Sequence, residues 1–532
     1  MLIALTSTLL WGSSSLQAQN MSVATRTLET NDIRATVHAD GILFSRPDAL
    51  RPGYETPPGS GAHTLFGASL WIGGIDERGR LRQAAMTYRQ RGSDFFPGPI
   101  RMTGQAAHPQ FWNRIYFIDR AMVESHRNLQ GPLERRAKSG DIPDAILQWP
   151  ANGPQGFDPV LAPFVDLNQN NRYDPDEGEY PYFEGDEALY MIFNDAYDAH
   201  TESLGRPLKV EVHATVYAYW PRTGQPRKEV LNNTIFVDYR IINRSSHTYD
   251  PLYLGQWVDF DIGGFYDDYI GTDPNRNMCY GYNADDWDSS SDSITGYGDT
   301  PPAQAMVFLN QPMRSAVHYR NVRGTNDGIP GRNEYHYYNY LRGRFLDGTE
   351  RPQTHSFPGN PCTGQGGTTQ IGSEPYDQRM VAGSGPFRLA PGENIKLSIA
   401  FVTGPRPQAG GGSRSSVCSL QQYVDQLRVF ASQREEKSVR HSDMLSEQAF
   451  QVYPNPVAQG EAFFLESSDR CVGSELQTVQ LLDQAGRMIR ELQPISEAST
   501  VRISTQNLAP GIYALRLYDR NGSVAHRQVV IQ

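Results

Sequence analysis

Residues 209–220 read KVEVHATVYAYW, and this alternation restricts the fold of the chain more than any other stretch. Val210, Val212, Ala214, Val216 and Ala218 fall on one side, with Lys209, Glu211, His213 and Thr215 on the other. That is the period of a β-strand with one face in a core. NTIFVDYRIINRSS (233–246) repeats it through Ile235, Val237, Tyr239 and Ile241, and ENIKLSIAFVTG (393–404) repeats it again behind the turn LAPG. TLFGASLWIGGIDERGRLRQAAMTY (64–88) reads as two strands about the turn-prone Asp76–Arg80 segment, and NDIRATVHADGILF (31–44) alternates up to a turn. Tyrosine (28) outnumbers phenylalanine (22), with 49 glycines and 36 prolines, a mix that favours strands and tight turns over helical bundles. The expected fold class is mainly β: antiparallel β-sandwich domains with a few short helices. Helices are expected at 113–130 and at 419–433. In the latter, Leu420, Tyr423, Val424, Leu427 and Phe430 form one stripe and Ser419 is a candidate cap.

A chain of 532 residues is too long for one ordinary core. Residues 1–18 read as a secretory signal, a short apolar run ending in the small-residue finish Leu16-Gln17-Ala18. No Lys or Arg precedes that run, which leaves either an upstream start or an n-region carried by the amino terminus alone. The expected regions are then 19–205, β-rich; 206–404, sandwich-like; 405–449, a linker with the amphipathic helix; and 450–532. No segment after the signal is apolar enough to cross a membrane as a helix. Export permits disulfides, and Cys279, Cys362, Cys418 and Cys471 allow three full pairings or a mixture with free buried thiols. A formal charge of −11 without a long basic block excludes nucleic acid as the main partner.

The last region contains FQVYPNPVAQGEAFFLES, VQLLDQAGRMIREL and ISTQNLAPGIYALRLYDRNGSVAHRQVVIQ, strands separated by Asn-Pro, Ala-Gly, Pro-Gly and Asn-Gly turns. It resembles the C-terminal sorting domain read by the type IX secretion system, which moves folded cargo across the bacterial outer membrane. The matching residues are Tyr453-Pro454-Asn455-Pro456, Asp483 and Gly486 in the central turn, Leu508, then Pro510-Gly511-Ile512-Tyr513, and the closing Arg527–Ile531 strand. His526-Arg527 stands where that family usually has a lysine, so positive charge is kept. The resemblance implies a small Ig-like β-sandwich, the secretion machinery as partner, removal of the domain at the surface, and a secreted or cell-surface destination.

DLNQNNRYDPDE (166–177) sets oxygen-bearing side chains at alternate positions and closes on a glutamate. Asp166, Asn168, Asn170, the Arg172 carbonyl, Asp174 and Glu177 occupy loop positions 1, 3, 5, 7, 9 and 12 of a calcium site, with Ca2+ as the expected cofactor. Asn171 stands where glycine is usual and tolerates the left-handed turn. The flanks are not paired long helices, so the loop looks like those of dockerin-like and thrombospondin-type modules. In WVDFDIGGFYDDYIGTD (257–273), Asp259, Asp261, Asp267, Asp268 and Asp273 would repel one another unless a cation or basic groups intervened, and a second calcium ion is one solution. NADDWDSSSDS (283–293) reads as a solvated loop, and Asp292-Ser293-Ile294 resembles a short O-glycan acceptor pattern of exported proteins.

GxSxG, HExxH, GxxxxGK[ST] and a strand-borne GxGxxG are all missing, and the twelve histidines are scattered. Asp259 and Asp261 are in principle a glycosidase pair, but neighbours on one strand seldom flank a substrate from opposite sides. GGFYDDY, EYHYYNYLRGRF and DFFPGPI hold aromatics that either stack on sugar rings or pack at sheet rims. FGASLWIGG, SDFFPGPI, the 166–186 segment, the 257–273 segment and GPFRLAPGE, in this order, look like a set of long exported proteins with the same sorting label, a resemblance that brings no activity. The sequence therefore points to a calcium-stabilised, β-rich surface or secreted protein with a binding or structural role, toward glycan or matrix. The alternative is a secreted hydrolase of polysaccharide or protein.

Overall fold

The alternating segments are strands, and in the large sheets each pairs antiparallel with its neighbours. The computed structural model describes residues 22–46, 51–128, 142–168, 170–221, 226–290, 294–321, 330–407, 412–444, 450–467, 476–483, 487–492, 500–519 and 524–532. The signal segment, Gly486, Cys471 and the Asp292-Ser293 pair lie outside them. The chain divides into two compact units, Met1–Arg428 and Val429–Gln532.

In the first unit an eight-stranded sheet runs Thr25–Leu28, Arg34–His38, Tyr54–Glu55, His63–Asp76, Tyr249–Phe260, Gln378–Leu389, Ser315–Arg320, with Leu81–Ala85 hairpinned onto His63–Asp76. The nine-stranded sheet runs Asp268–Asp273, Met278–Asn283, Ala303–Phe308, Asn394–Thr403, Thr234–Asn243, Val210–Ala218, Glu187–Asn194, Phe96–Pro97, and Tyr116–Asp119 also pairs with Glu187–Asn194. Both sheets take strands from each side of residue 205, so the regions 19–205 and 206–404 interlace. The apolar sets meet in one core: Val210, Val212, Ala214, Val216, Ala218, Ile235, Val237, Tyr239 and Ile241 from one sheet, Leu70, Ile72, Leu254, Val258 and Phe260 from the other. The Asp76 carboxylate accepts the Arg78 and Arg80 backbone N–H groups and pairs with the Arg80 and Arg82 guanidiniums, which closes the expected turn.

Three local readings change. Residues 113–130 are not one helix: Tyr116–Asp119 is captured by the edge of Glu187–Tyr190, and the helix Arg120–Asn128 starts behind it, with Asp119 accepting the Met122 N–H. The helix expected at 419–433 extends over Gly412–Met444, because no proline or glycine interrupts the chain after Gly412. The polar face of Val210–Ala218 is not open to solvent. Glu211 and His213 are buried, in contact with each other, and the Ile100 N–H and the Arg244 guanidinium complete the charge at Glu211.

On its outer face the eight-stranded sheet carries a second apolar cluster, where Tyr337, Tyr340 and Leu341 of the helix Glu334–Leu341 cover Trp71, Trp257, Tyr319 and Val381. The aromatics of EYHYYNYL are therefore largely packing groups. A Cys362–Cys418 disulfide ties the loop before Gln378 to the long helix, and Cys279 is a free buried thiol.

In the second unit, a three-stranded sheet (Phe450–Tyr453, Ala462–Ser467, Thr500–Ser504) and a four-stranded sheet (Met488–Leu492, Leu476–Leu482, Gly511–Asp519, Val524–Ile531) share a core of Phe463, Leu465, Val479, Leu481, Ile503, Leu515, Leu517, Val529 and Ile531.

Candidate metal centres and the sorting unit

The loop 166–177 is held from beneath. Buried Glu179, which the twelve-position pattern does not include, accepts the Leu167 and Asn168 N–H groups through Oε1 and the Asp174 N–H through Oε2. Burial and the neighbouring Asp166 push the Glu179 carboxyl above its ordinary range, against the pull of those backbone donors. Tyr173 anchors the loop by packing against Phe164 and donating to the Ile146 carbonyl. Asn171 sits at φ 57°, in the left-handed region expected of it. Around the rim, Asn168 Nδ2 donates to Glu177 Oε2 at 2.7 Å and Asn170 Nδ2 to Asp174 Oδ2 at 2.8 Å. Asp166 Oδ2 accepts the Asn171 N–H, whereas its Oδ1 is buried with no hydrogen-bond partner. The Arg172 guanidinium lies 3.3 Å from Asp174.

The five aspartates of 257–273 do not form one cluster. Asp259 and Asp261 stand together at the end of Tyr249–Phe260, joined by Asp377 from the start of the paired strand, and one oxygen of each lies within 4.8 Å of the others. This triad could hold a metal ion. It is the one such group of three acidic, histidine or cysteine side chains among the described residues. Arg379 faces it, its Nε 3.0 Å from Asp259 Oδ2, with the guanidinium held by Gln90 and the Tyr88 hydroxyl. Burial first, then repulsion from Asp377 at Asp259 and from Asp259 and Asp377 at Asp261, raises both carboxyls above the usual carboxylate range despite Arg379.

The other three aspartates have separate employment. Asp268 is buried and accepts the Ile262 N–H. Asp267 is pushed up to about 6 by burial and by Asp285. Asp273 caps the turn Pro274–Arg276 and pairs with Arg276, which reaches on to Asp425.

Asp288 departs from the reading of 283–293 as a solvated loop, in which Asp285, Asp286, Trp287, Ser289 and Ser290 are exposed as expected. Its carboxylate is buried, Oδ1 accepting the Gly264 N–H at 2.8 Å and Oδ2 the Tyr297 N–H at 2.6 Å. Gly263 permits that approach, since a side chain at its φ of 64° would strike the carboxylate. Asp288→Asn turns one acceptor into a donor facing a backbone N–H, so it should lower unfolding stability by about 1–3 kcal/mol. A denaturant titration of the variant against wild type measures this, and equal midpoints would restore the solvated reading.

In the C-terminal unit Asn455 bridges to the final strand, donating to the Gln528 carbonyl and accepting the Val530 N–H at 2.8 Å. Tyr453 stacks on Phe464, and the Tyr453–Pro454 and Asn455–Pro456 bonds are cis. Asp483 accepts the Arg487 N–H across the central turn. Leu508 is buried beside Pro510 and Gly511, Tyr513 donates to the Ala509 carbonyl, and Arg527 pairs with Leu515. The sequence-matched residues thus gather on the two-sheet core and its closing strand.

These features define a mainly β protein with a separate C-terminal unit. Residues 451–532 match the family described as the secretion system C-terminal sorting domain. That domain identifies a type IX secretion cargo, carried across the outer membrane to the cell surface or the medium, with the secretion machinery as its partner. No helix among the described residues is long and apolar enough to cross a membrane. No curated protein matches the chain significantly. Among solved structures, a polysaccharide lyase is similar at 10% identity and a TM-score of 0.19, covering 60% of this chain and 34% of its own, so this chain spans about a third of that protein. CopC from Methylosinus trichosporium OB3b is similar at 15% identity and a TM-score of 0.12, covering 15% of this chain and 86% of its own. At these scores neither likeness bears on fold or activity.

Proposed function

We propose that this protein is a calcium-stabilised, β-rich extracellular protein with a binding or structural role, and that residues 166–177 hold its calcium ion. The observation that supports the calcium reading is the ring of Asn168–Glu177 and Asn170–Asp174 contacts. Each amide N–H2 occupies the place beside a carboxylate where a cation would act. Rotation of either amide turns its oxygen inward and completes an oxygen shell with Asp166, Asp174 and Glu177. The buried, unpartnered Asp166 Oδ1 supports the same reading. A glycan or matrix polymer is the proposed partner, favoured by the exposed rings of Tyr266 and Trp287 beside the acidic loops. The Asp259/Asp261 pair does not suit glycosidase chemistry. It is buried, and its two carboxylates come from one strand rather than from opposite sides of a cleft.

Extracellular calcium loops have dissociation constants of roughly 0.1–1 mM. At ~1–10 mM calcium an ion that binds only the folded state adds about 0.4–3 kcal/mol. Chelation should lower the melting temperature of the full chain, and magnesium should not restore it, because its octahedral shell is smaller and stricter. Glu177→Gln should remove the share of that response due to this loop, since position 12 supplies the bidentate carboxylate. A Glu177→Gln chain that keeps the whole wild-type calcium response would show the loop to be a polar turn.

A further inference from the structure

We propose that Asp259, Asp261 and Asp377 form a second, buried calcium site that clamps the Tyr249–Phe260 strand to the Gln378–Leu389 strand. Pairing of these strands sets Asp259 opposite Arg379 and Phe260 opposite Gln378. One step further along the register, Asp261 faces Asp377. Like charges directly opposed across two strands are destabilising, and this pair stands beside a third carboxylate.

The charge count is short of positive. Arg379 is the cation that acts on both Asp259 and Asp261, and it supplies one charge against three. A divalent ion makes the group neutral.

The oxygen inventory points the same way. Arg379 lies against Asp259 Oδ2, while Asp259 Oδ1, in a residue only 2% exposed, has no hydrogen-bond partner. Asp377 Oδ1 also lacks a hydrogen bond, although Arg379 Nε lies 3.7 Å from it. A buried carboxylate oxygen left unpaired is costly, so Asp259 Oδ1 marks the place of a ligand. The donors are all carboxylate oxygens, without His or Cys, which selects a hard cation over zinc or copper. Arg379 already touches Asp259 and Asp377 through Nε, and it reaches no further in, because its guanidinium lies over the Tyr88 and Trp257 rings and is held by Gln90.

The site is independent of the 166–177 loop, and two variants separate them. The full chain is assayed for bound metal by equilibrium dialysis at a fixed free calcium of about 1–10 mM, as wild type, Asp377→Asn, Glu177→Gln and the double variant. Asp377→Asn should lose about one calcium equivalent in either background. It should also melt lower than wild type in calcium yet no lower in EDTA, because without the ion it removes one repelling charge. Calcium content and calcium-induced melting shift equal to wild type would overturn the site, and an equal shift with magnesium would overturn its assignment to calcium. Terbium emission sensitised through Trp257 in the Glu177→Gln chain tests the native triad directly. Emission that calcium quenches supports the site, and its absence overturns it. Loss of metal in Asp377→Asn but not in Glu177→Gln would leave this site standing and sink the loop.

Discussion

Deletion of Leu508–Gln532 should leave the first unit folded and the protein held in the periplasm. The deletion removes Gly511–Asp519, an inner strand of the four-stranded sheet, and its neighbour Val524–Ile531. Leu508, Leu515, Leu517, Val529 and Ile531 leave the second core with them. What remains cannot close two sheets on an apolar interior, and Asn455 loses both of its partners on the final strand. The cores of the first unit contain no residue of this segment, so export across the inner membrane and folding should proceed. Fractionation with immunoblotting, and protease resistance of the periplasmic form, measure both halves. Truncated chain in the medium at the wild-type level would contradict the role of the C-terminal unit as the address.

His200→Leu should cost about 3–5 kcal/mol of stability, the penalty for removing one partner of a buried charge group. The ring is buried, with Nδ1 2.8 Å from the Gln83 carbonyl and Nε2 2.8 Å from the Asp195 carbonyl. Carbonyls only accept, so both nitrogens carry hydrogen and the ring is an imidazolium. Its charge is met by the carboxylates of Asp94 and Asp195, each 3.7 Å away. Burial alone pulls the imidazole down, but these carboxylates and the two carbonyls outweigh it and raise it above its ordinary value. A raised histidine stabilises fully below its unfolded pKa and loses that contribution as pH rises through the folded one.

The neighbouring acids have the same sign. Burial raises Asp195, and it raises Glu202 to about 7, even though Glu202 accepts the Arg91 and Gly92 N–H groups. These three groups therefore hold more protons in the folded state than in the unfolded chain, from the unfolded carboxylate range up through neutrality. Their contribution to stability should fall as pH rises across that window. Denaturant titrations at several pH values measure the slope, and His200→Leu should flatten its upper part. A variant whose stability falls with pH as steeply as wild type, or that lies within about 1 kcal/mol of wild type, would refute the buried imidazolium.

Much of this architecture is legible in sequence because a strand with one apolar face states its period in adjacent residues. The core strands at 210–218, 234–243 and 394–403, the Asp76–Arg80 turn and the sorting unit all follow from local signals. The loop 166–177 is equally local, since its residues lie within one turn of backbone. The misreadings arise where a second layer intervenes. Glu211 and His213 alternate as solvent-facing residues should, but another layer buries them. Tyr116–Asp119 has helical spacing, but a free sheet edge captures it.

By itself, then, the sequence determined the fold class, the two-sheet C-terminal address and the composition of the first candidate loop, because each depends on residues a few positions apart. Only the tertiary structure decided which aspartates of 257–273 meet, and that Asp377 joins Asp259 and Asp261. That contact is created by strand register between segments far apart in the chain, and no local pattern encodes which residue will stand across from another. The same holds for His200, whose proton is fixed by carbonyls and carboxylates that three separate segments bring to its ring.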